Sequence, residues 1–137
     1  MKNVLILCTG NSCRSQIAEG FLGKMLAGKA TVYSAGIEIH GVNPKAIETM
    51  KEIGIDISMH TSNHISEYEN INFDFIITVC DHAKESCPYF PSNAIKFHHN
   101  FPDPAKAIGT ADEVKLAFAS VRELIEDYCE NFVAENF

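Results

Sequence analysis

Apolar and polar positions alternate along this chain in blocks that read as strand, helix, strand, helix. Residues 3–7 form a short apolar run, the pattern of a strand covered on both faces. From about residue 15 to 27, Ile17, Ala18, Phe21, Leu22, Met25 and Leu26 recur at helical spacing. Residues 31–35 (TVYSA) are β-rich and stop at Gly36. Asn43 and Pro44 open a second helix, with Asn at the cap and Pro in the first turn. Ala46, Ile47, Met50 and Ile53 share its inner face, and Gly54 ends it. Residues 55–69 are mixed and polar and predict no firm element. Residues 73–79 (FDFIITV) predict a third strand, which runs into Cys80. Residues 81–87 predict a short helix stopped by Pro88. Residues 95–98 predict a fourth strand, and FPDPA at 101–105 a loop held by two prolines. Thr110 and Glu113 form a capping box before a long helix. Its inward positions are Val114, Ala117, Phe118, Val121, Leu124, Ile125, Tyr128 and Phe132.

Strands alternating with helices predict an α/β fold: one domain over residues 1–137, with a four-stranded parallel sheet and helices on both faces. Ligands of such sheets bind at the carboxyl ends of the strands. Cys8, Ser34, Cys80 and Asp103 each end or follow a strand, so all four are expected on one edge.

Charge and cysteine usage narrow the function. No apolar run suits a membrane span, and no signal-peptide pattern opens the chain, so a cytoplasmic monomer is the expectation. The formal net charge is −7, which disfavours nucleic acid as a partner because phosphate contacts need clustered Lys and Arg. An anion must instead be held by a local field. Five cysteines, an odd number, argue against a structural disulfide framework in such a chain.

The local field is written in CTGNSCRS, residues 8–15. Cys8 sits where the first strand stops, small and polar residues follow, and Arg14 precedes a helix. Thr9, Gly10, Asn11, Ser12 and Cys13 let the backbone curl with its N–H groups inward, and the helix N-terminus adds partial positive charge. Arg14 can hold two oxygens of a tetrahedral oxyanion. The same field is expected to lower the pKa of Cys8, and Ser15 to donate a hydrogen bond to its sulfur. Cys13 reads either as a packed bystander or as a reversible disulfide partner of Cys8. Asp103, between two prolines, is a candidate proton donor to a leaving oxygen or a simple turn aspartate.

Cys80 and Cys87 lie two helical turns apart. A helix between them would separate their Cα atoms by roughly 10 Å, whereas a disulfide needs about 4.4–6.8 Å. Either they never join, or the segment unwinds when they do. A zinc site using Cys80, His82 and Cys87 lacks standard ligand spacing. His60, His98 and His99 read as packing or hydrogen-bonding residues, and Cys129 as structural.

Together CTGNSCRS, Cys80-x6-Cys87-Pro88 and FPDPA resemble the thioredoxin-coupled arsenate reductases, which share the low-molecular-weight protein tyrosine phosphatase fold. The resemblance implies that Cys8 attacks arsenate held by the loop (Thr9 to Cys13) and Arg14, with Asp103 helping water leave. It further implies a transient Cys8–Cys80 disulfide, a Cys80–Cys87 disulfide after it, and thioredoxin as the reductant. Some members bind potassium at positions matching Asn11, Glu19, Ser34, Thr61 and Asn63. Asn63 stands where those members carry aspartate, so no cofactor is expected. A phosphotyrosine phosphatase would use Cys8, Arg14 and Asp103 alone.

Overall fold

β1 (Lys2–Cys8) is the central strand because its apolar run can be hidden on both faces: Val4, Leu5, Ile6 and Leu7 are fully buried. The structure is a computed structural model that describes residues 1–81 and 93–137. β2 (Ala30–Gly36), β3 (Phe75–Thr78) and β4 (Ile95–His98) complete an all-parallel sheet in the order β2-β1-β3-β4. Its register sets Cys8 opposite Gly36, and Thr78 opposite both Leu7 and His98. The carboxyl ends of the four strands therefore make one level edge.

Among the described residues there are three α-helices, α1 (Arg14–Met25), α2 (Pro44–Lys51) and α3 (Ala111–Asn136). The predicted caps are present. Asn43 accepts from the amide of Lys45, and Thr110 and Glu113 cap each other reciprocally. Neighbouring residues in register share a face of the sheet. Phe75, in register with Val4, turns its ring edge-on to Phe132 of α3 at 5.4 Å, and α1 and α2 both pack against α3. Tyr33, in register with Leu5, meets Tyr68 at 5.2 Å. Tyr68 belongs to a 3-10 turn at Ile65–Tyr68, so helical segments cover both faces.

Several boundaries differ from the sequence pattern. β3 is shorter than residues 73–79, although Asp74 and Val79 at its two ends still make backbone bonds to Asn3, Ile95 and Leu7, and the Asp74 carboxylate accepts from the amide of Asn3 at 2.8 Å. The 3-10 turn falls where no element is predicted. It is capped by His64, whose ring nitrogen accepts from the Ser66 amide, a job usually given to Ser, Thr, Asp or Asn. FPDPA is also tighter than a loop, since Pro104–Lys106 form a 3-10 turn capped by Asp103. Leu124 and Ile53, placed inward by periodicity, are 49% and 38% exposed. α3 presents a narrower stripe of Phe118, Val121, Ile125, Cys129 and Phe132. The predicted helix at residues 81–87 lies, beyond Asp81, outside the described residues, as does Cys87.

Candidate active site

The loop after Cys8 is shaped by its carbonyls. Thr9 O accepts from the Glu38 amide at 2.9 Å, Gly10 O from the His40 amide at 3.0 Å, and Ser12 O from the Asn43 amide at 3.1 Å. Asn11 O accepts from the side chain of Gln16 at 3.0 Å, and Cys13 O from the Ile17 amide at 2.9 Å. Five consecutive carbonyls thus point away from the loop centre. A trans peptide sets its N–H opposite its C=O. The amides of Gly10, Asn11, Ser12, Cys13 and Arg14 therefore point inward. Asn11 takes a left-handed φ of 49° to close the curl. Gly36 lets the loop approach β2, because a Cβ there would stand 2.8 Å from both Asn11 N and Thr9 O. Helix α1 begins at Arg14 with no side-chain cap on its first amides. The result is a concave row of donors at a helix N-terminus, which suits a tetrahedral oxyanion.

Arg14 completes this cradle. Its Nη1 donates to Phe101 O at 2.9 Å and its Nη2 lies 3.8 Å from Asp103. Its Nε is buried and has no hydrogen-bond partner among the described residues. Leaving such a donor unpaired costs about 1–3 kcal/mol, and a bound oxyanion would satisfy it. Asp103 is held twice, capping the Ala105 amide of its own turn at 3.0 Å and pairing with Arg14 of the cradle.

The two sulfurs change the expected chemistry. Cys8 is 4% exposed and Cys80 3%, and both sulfurs are reduced. Cys8 is in hydrogen-bond contact with Cys80, and Thr9 Oγ1 lies 3.2 Å from Cys80 Sγ. The predicted lowering of the Cys8 pKa is not found. Contact with Cys80 raises it most, burial adds to the rise, and Arg14 and the Ser15 amide only partly oppose them. Cys80 and burial thus favour the thiol form of Cys8. Ser15 also acts differently from expectation. Its backbone N–H is the group that favours the Cys8 thiolate, while its hydroxyl accepts from Asn11 at 2.8 Å.

Under the loop lies a polar network that residue spacing does not reveal. Asn11 Nδ2 also donates to Ser34 at 2.9 Å, and Asn11 Oδ1 accepts from the Asn63 amide at 2.8 Å. Ser34 donates to Glu19. Gln16 is fully buried, donates to Thr61 O at 3.0 Å and pairs with His60 at 3.0 Å. His60 also stands 3.6 Å from Glu19. Gln16, Glu38 and His60 are thus supports of the site that the motif alone did not supply. One signal for Gln16 exists: it lies between Ser15 and Ile17 at the start of a helix that runs into the core.

Among the sequence candidates, Cys8, Arg14, Ser15, Cys80 and Asp103 meet at one edge, as the strand ends predict. Cys13 is buried and nearest Ser12, at 4.0 Å from its hydroxyl. Its thiol is pushed up to about 11, chiefly by burial. Cys129 is buried in the stripe of α3, where burial pushes its thiol far up, as suits a structural residue. His99 packs on Phe101 and Tyr128, with ring centroids 4.4 and 5.2 Å away. No helix among the described residues is long and apolar enough to cross a membrane.

The chain is similar to known proteins along almost its whole length. An arsenate reductase of Halalkalibacterium halodurans is 50% identical over 131 residues, 96% of this chain and 94% of the relative. One of Staphylococcus aureus (strain Newman) is 49% identical, covering 96% and 95%. A solved structure described as an arsenate reductase in oxidized state superposes with a TM-score of 0.84 at 34% identity, covering 98% of each chain. A low molecular weight protein tyrosine phosphatase from T. tengcongensis shares the fold, with a TM-score of 0.80 at 24% identity and coverage of 98% and 99%. The family model described as low molecular weight phosphotyrosine protein phosphatase matches residues 3–136, and the chain belongs to that family.

Proposed function

We propose that this protein reduces arsenate to arsenite by a three-cysteine relay regenerated by thioredoxin. The observation that carries the reading is the Cys80 thiol in contact with Cys8 at the wall of an oxyanion cradle. A phosphatase needs the cradle, Arg14 and an acid. It has no use for a second thiol against its nucleophile.

The loop amides and Arg14 Nε hold arsenate. Cys8 Sγ attacks arsenic and an oxygen leaves as water, with Asp103 as the proton donor. The proton of Cys8 leaves on attack and passes to an oxygen of the bound oxyanion. Cys80 then attacks Cys8 Sγ. The S–As bond breaks, its electron pair stays on arsenic, and arsenite leaves a Cys8–Cys80 disulfide. Cys87 attacks Cys80, frees Cys8 and forms Cys80–Cys87. A thioredoxin dithiol reduces that disulfide and takes up the oxidising equivalents. No step is assigned to potassium. The oxygens of Glu19, Ser34 and Asn63 are bonded to neighbouring side chains, and Asn63 brings no charge.

The test is arsenate-dependent NADPH consumption with thioredoxin and thioredoxin reductase, for wild type and Cys80→Ser. Wild type turns over and the variant loses turnover while still binding phosphate in the cradle. Equal turnover in both would sink the relay.

A further inference from the structure

We propose that His98 is a positioning residue for Cys80: together with Asp81 it clamps the backbone on both sides of that cysteine and holds its sulfur against Cys8. The inference rests on the relay reading above. His98 ends β4, next to the end of β3. Its Nδ1 lies 2.7 Å from Thr78 Oγ1 and its Nε2 lies 2.8 Å from Asp81 Oδ1. Thr78 and Asp81 flank Cys80 at two residues before and one after. A single imidazole from the neighbouring strand thus bridges the chain across the relay cysteine.

An ionised carboxylate only accepts, so Nε2 carries an N–H and donates to Asp81, a charge-assisted bond. Thr78 Oγ1 lies 2.7 Å from Nδ1 and also donates to Phe97 O at 3.3 Å. The chain before Cys80 is also held by backbone bonds, from Val79 N to Leu7 O at 2.9 Å and from His99 N to Thr78 O at 2.9 Å. After Cys80, the described ties are both side chains: His98 on the Asp81 carboxylate, and Asn100 Oδ1 on the Asp81 amide at 3.3 Å. Fixing the second anchor raises the effective concentration of Cys80 Sγ at Cys8 Sγ by removing backbone freedom. The hydrogen bonds of His98 go to the two residues that flank Cys80, and it acts through this placement.

The experiment measures that concentration directly. In a Cys87→Ser background, the protein is equilibrated in glutathione redox buffer. Cys8 and Cys80 thiols plus glutathione disulfide give the Cys8–Cys80 disulfide plus two glutathiones, quantified by peptide mass mapping. His98→Ala and Asp81→Ala each lower the equilibrium constant about tenfold, and the double variant lowers it no further, because both remove one bond. Inorganic phosphate affinity, measured by calorimetry, stays within about twofold of the parent. Unchanged constants, additive effects, or an equal fall in phosphate affinity would each overturn the clamp. Should His98→Ala fail to fold, Asp81→Ala decides alone, since that side chain is 64% exposed. The equilibrium needs no arsenate. A parent that forms the disulfide but makes no arsenite from arsenate defeats the proposed function and leaves this measurement readable.

Discussion

Cys8 opens a loop whose five carbonyls are each tied outward, whereas Cys80 leaves β3 with two side chains, His98 and Asn100, as the described ties beyond it. The difference follows from what each sulfur must do. Holding a small tetrahedral anion needs several donors aimed at one point, and that geometry must exist before the anion arrives. In the proposed relay Cys80 meets one sulfur and then another, and side-chain bonds such as those of His98 and Asn100 to Asp81 are replaceable.

The comparison breaks first at Asn11, where the cradle is most concentrated. Its side chain bonds Ser15, Ser34 and the Asn63 amide, and its own φ is 49°. Asn11→Ala strands buried partners and strains the left-handed backbone, for an expected loss of about 3 kcal/mol. For a chain of this size that lowers Tm by roughly 10 °C, and phosphate affinity falls with it. Asn11→Gly recovers only the backbone share, about 1 kcal/mol. Thermal melts of the three proteins check this. A melt of Asn11→Ala equal to wild type would mean that the loop is held by its backbone ties alone.

How far these two regions could be read from sequence differs in the same way. The order of strand, Cys8, polar loop, Arg14 and helix is local, so composition and spacing reveal it. So are the Asn43 cap and the Thr110–Glu113 box. The outward ties are not, because Glu38, His40 and Asn43 donate through backbone amides that any residue but proline possesses. The influence of Cys80 on the Cys8 thiol is hidden for a related reason. Arg14 is a visible neighbour six positions on, while Cys80 is 72 residues away in sequence and adjacent only through the β1–β3 pairing. Leu124 fits the period of α3, but its position falls outside the stripe that the sheet and the other helices cover.

Removing Cys80 sharpens the comparison at the sulfur itself. The Cys8 pKa is raised, so the thiolate fraction at neutral pH is small and alkylation is slow. The largest cause of the rise is Cys80. Cys80→Ala therefore shifts the pH profile of Cys8 alkylation to lower pH, and at pH 7 the rate rises by about tenfold. Iodoacetamide labelling followed by peptide mass mapping distinguishes Cys8 from Cys13, Cys87 and Cys129. A profile that does not move would mean that burial alone sets the Cys8 pKa.

Thr9 belongs to both regions and gives the smallest expected effect. Its carbonyl is one of the five cradle ties, accepting from Glu38, while its hydroxyl reaches Cys80 Sγ at 3.2 Å. Valine keeps the shape and the carbonyl but removes the hydroxyl. A neutral hydrogen bond of this kind is worth about 1 kcal/mol net. Thr9→Val should therefore slow formation of the Cys8–Cys80 disulfide about threefold to fivefold, as read by rapid quench after one equivalent of arsenate in the Cys87→Ser background. Phosphate affinity should stay at the wild-type value, because the backbone donors are untouched. A fall in both would show that the cradle and the relay are one mechanical unit. A fall in the disulfide rate alone would show that the loop binds the anion through its backbone and steers the second thiol through a single side chain.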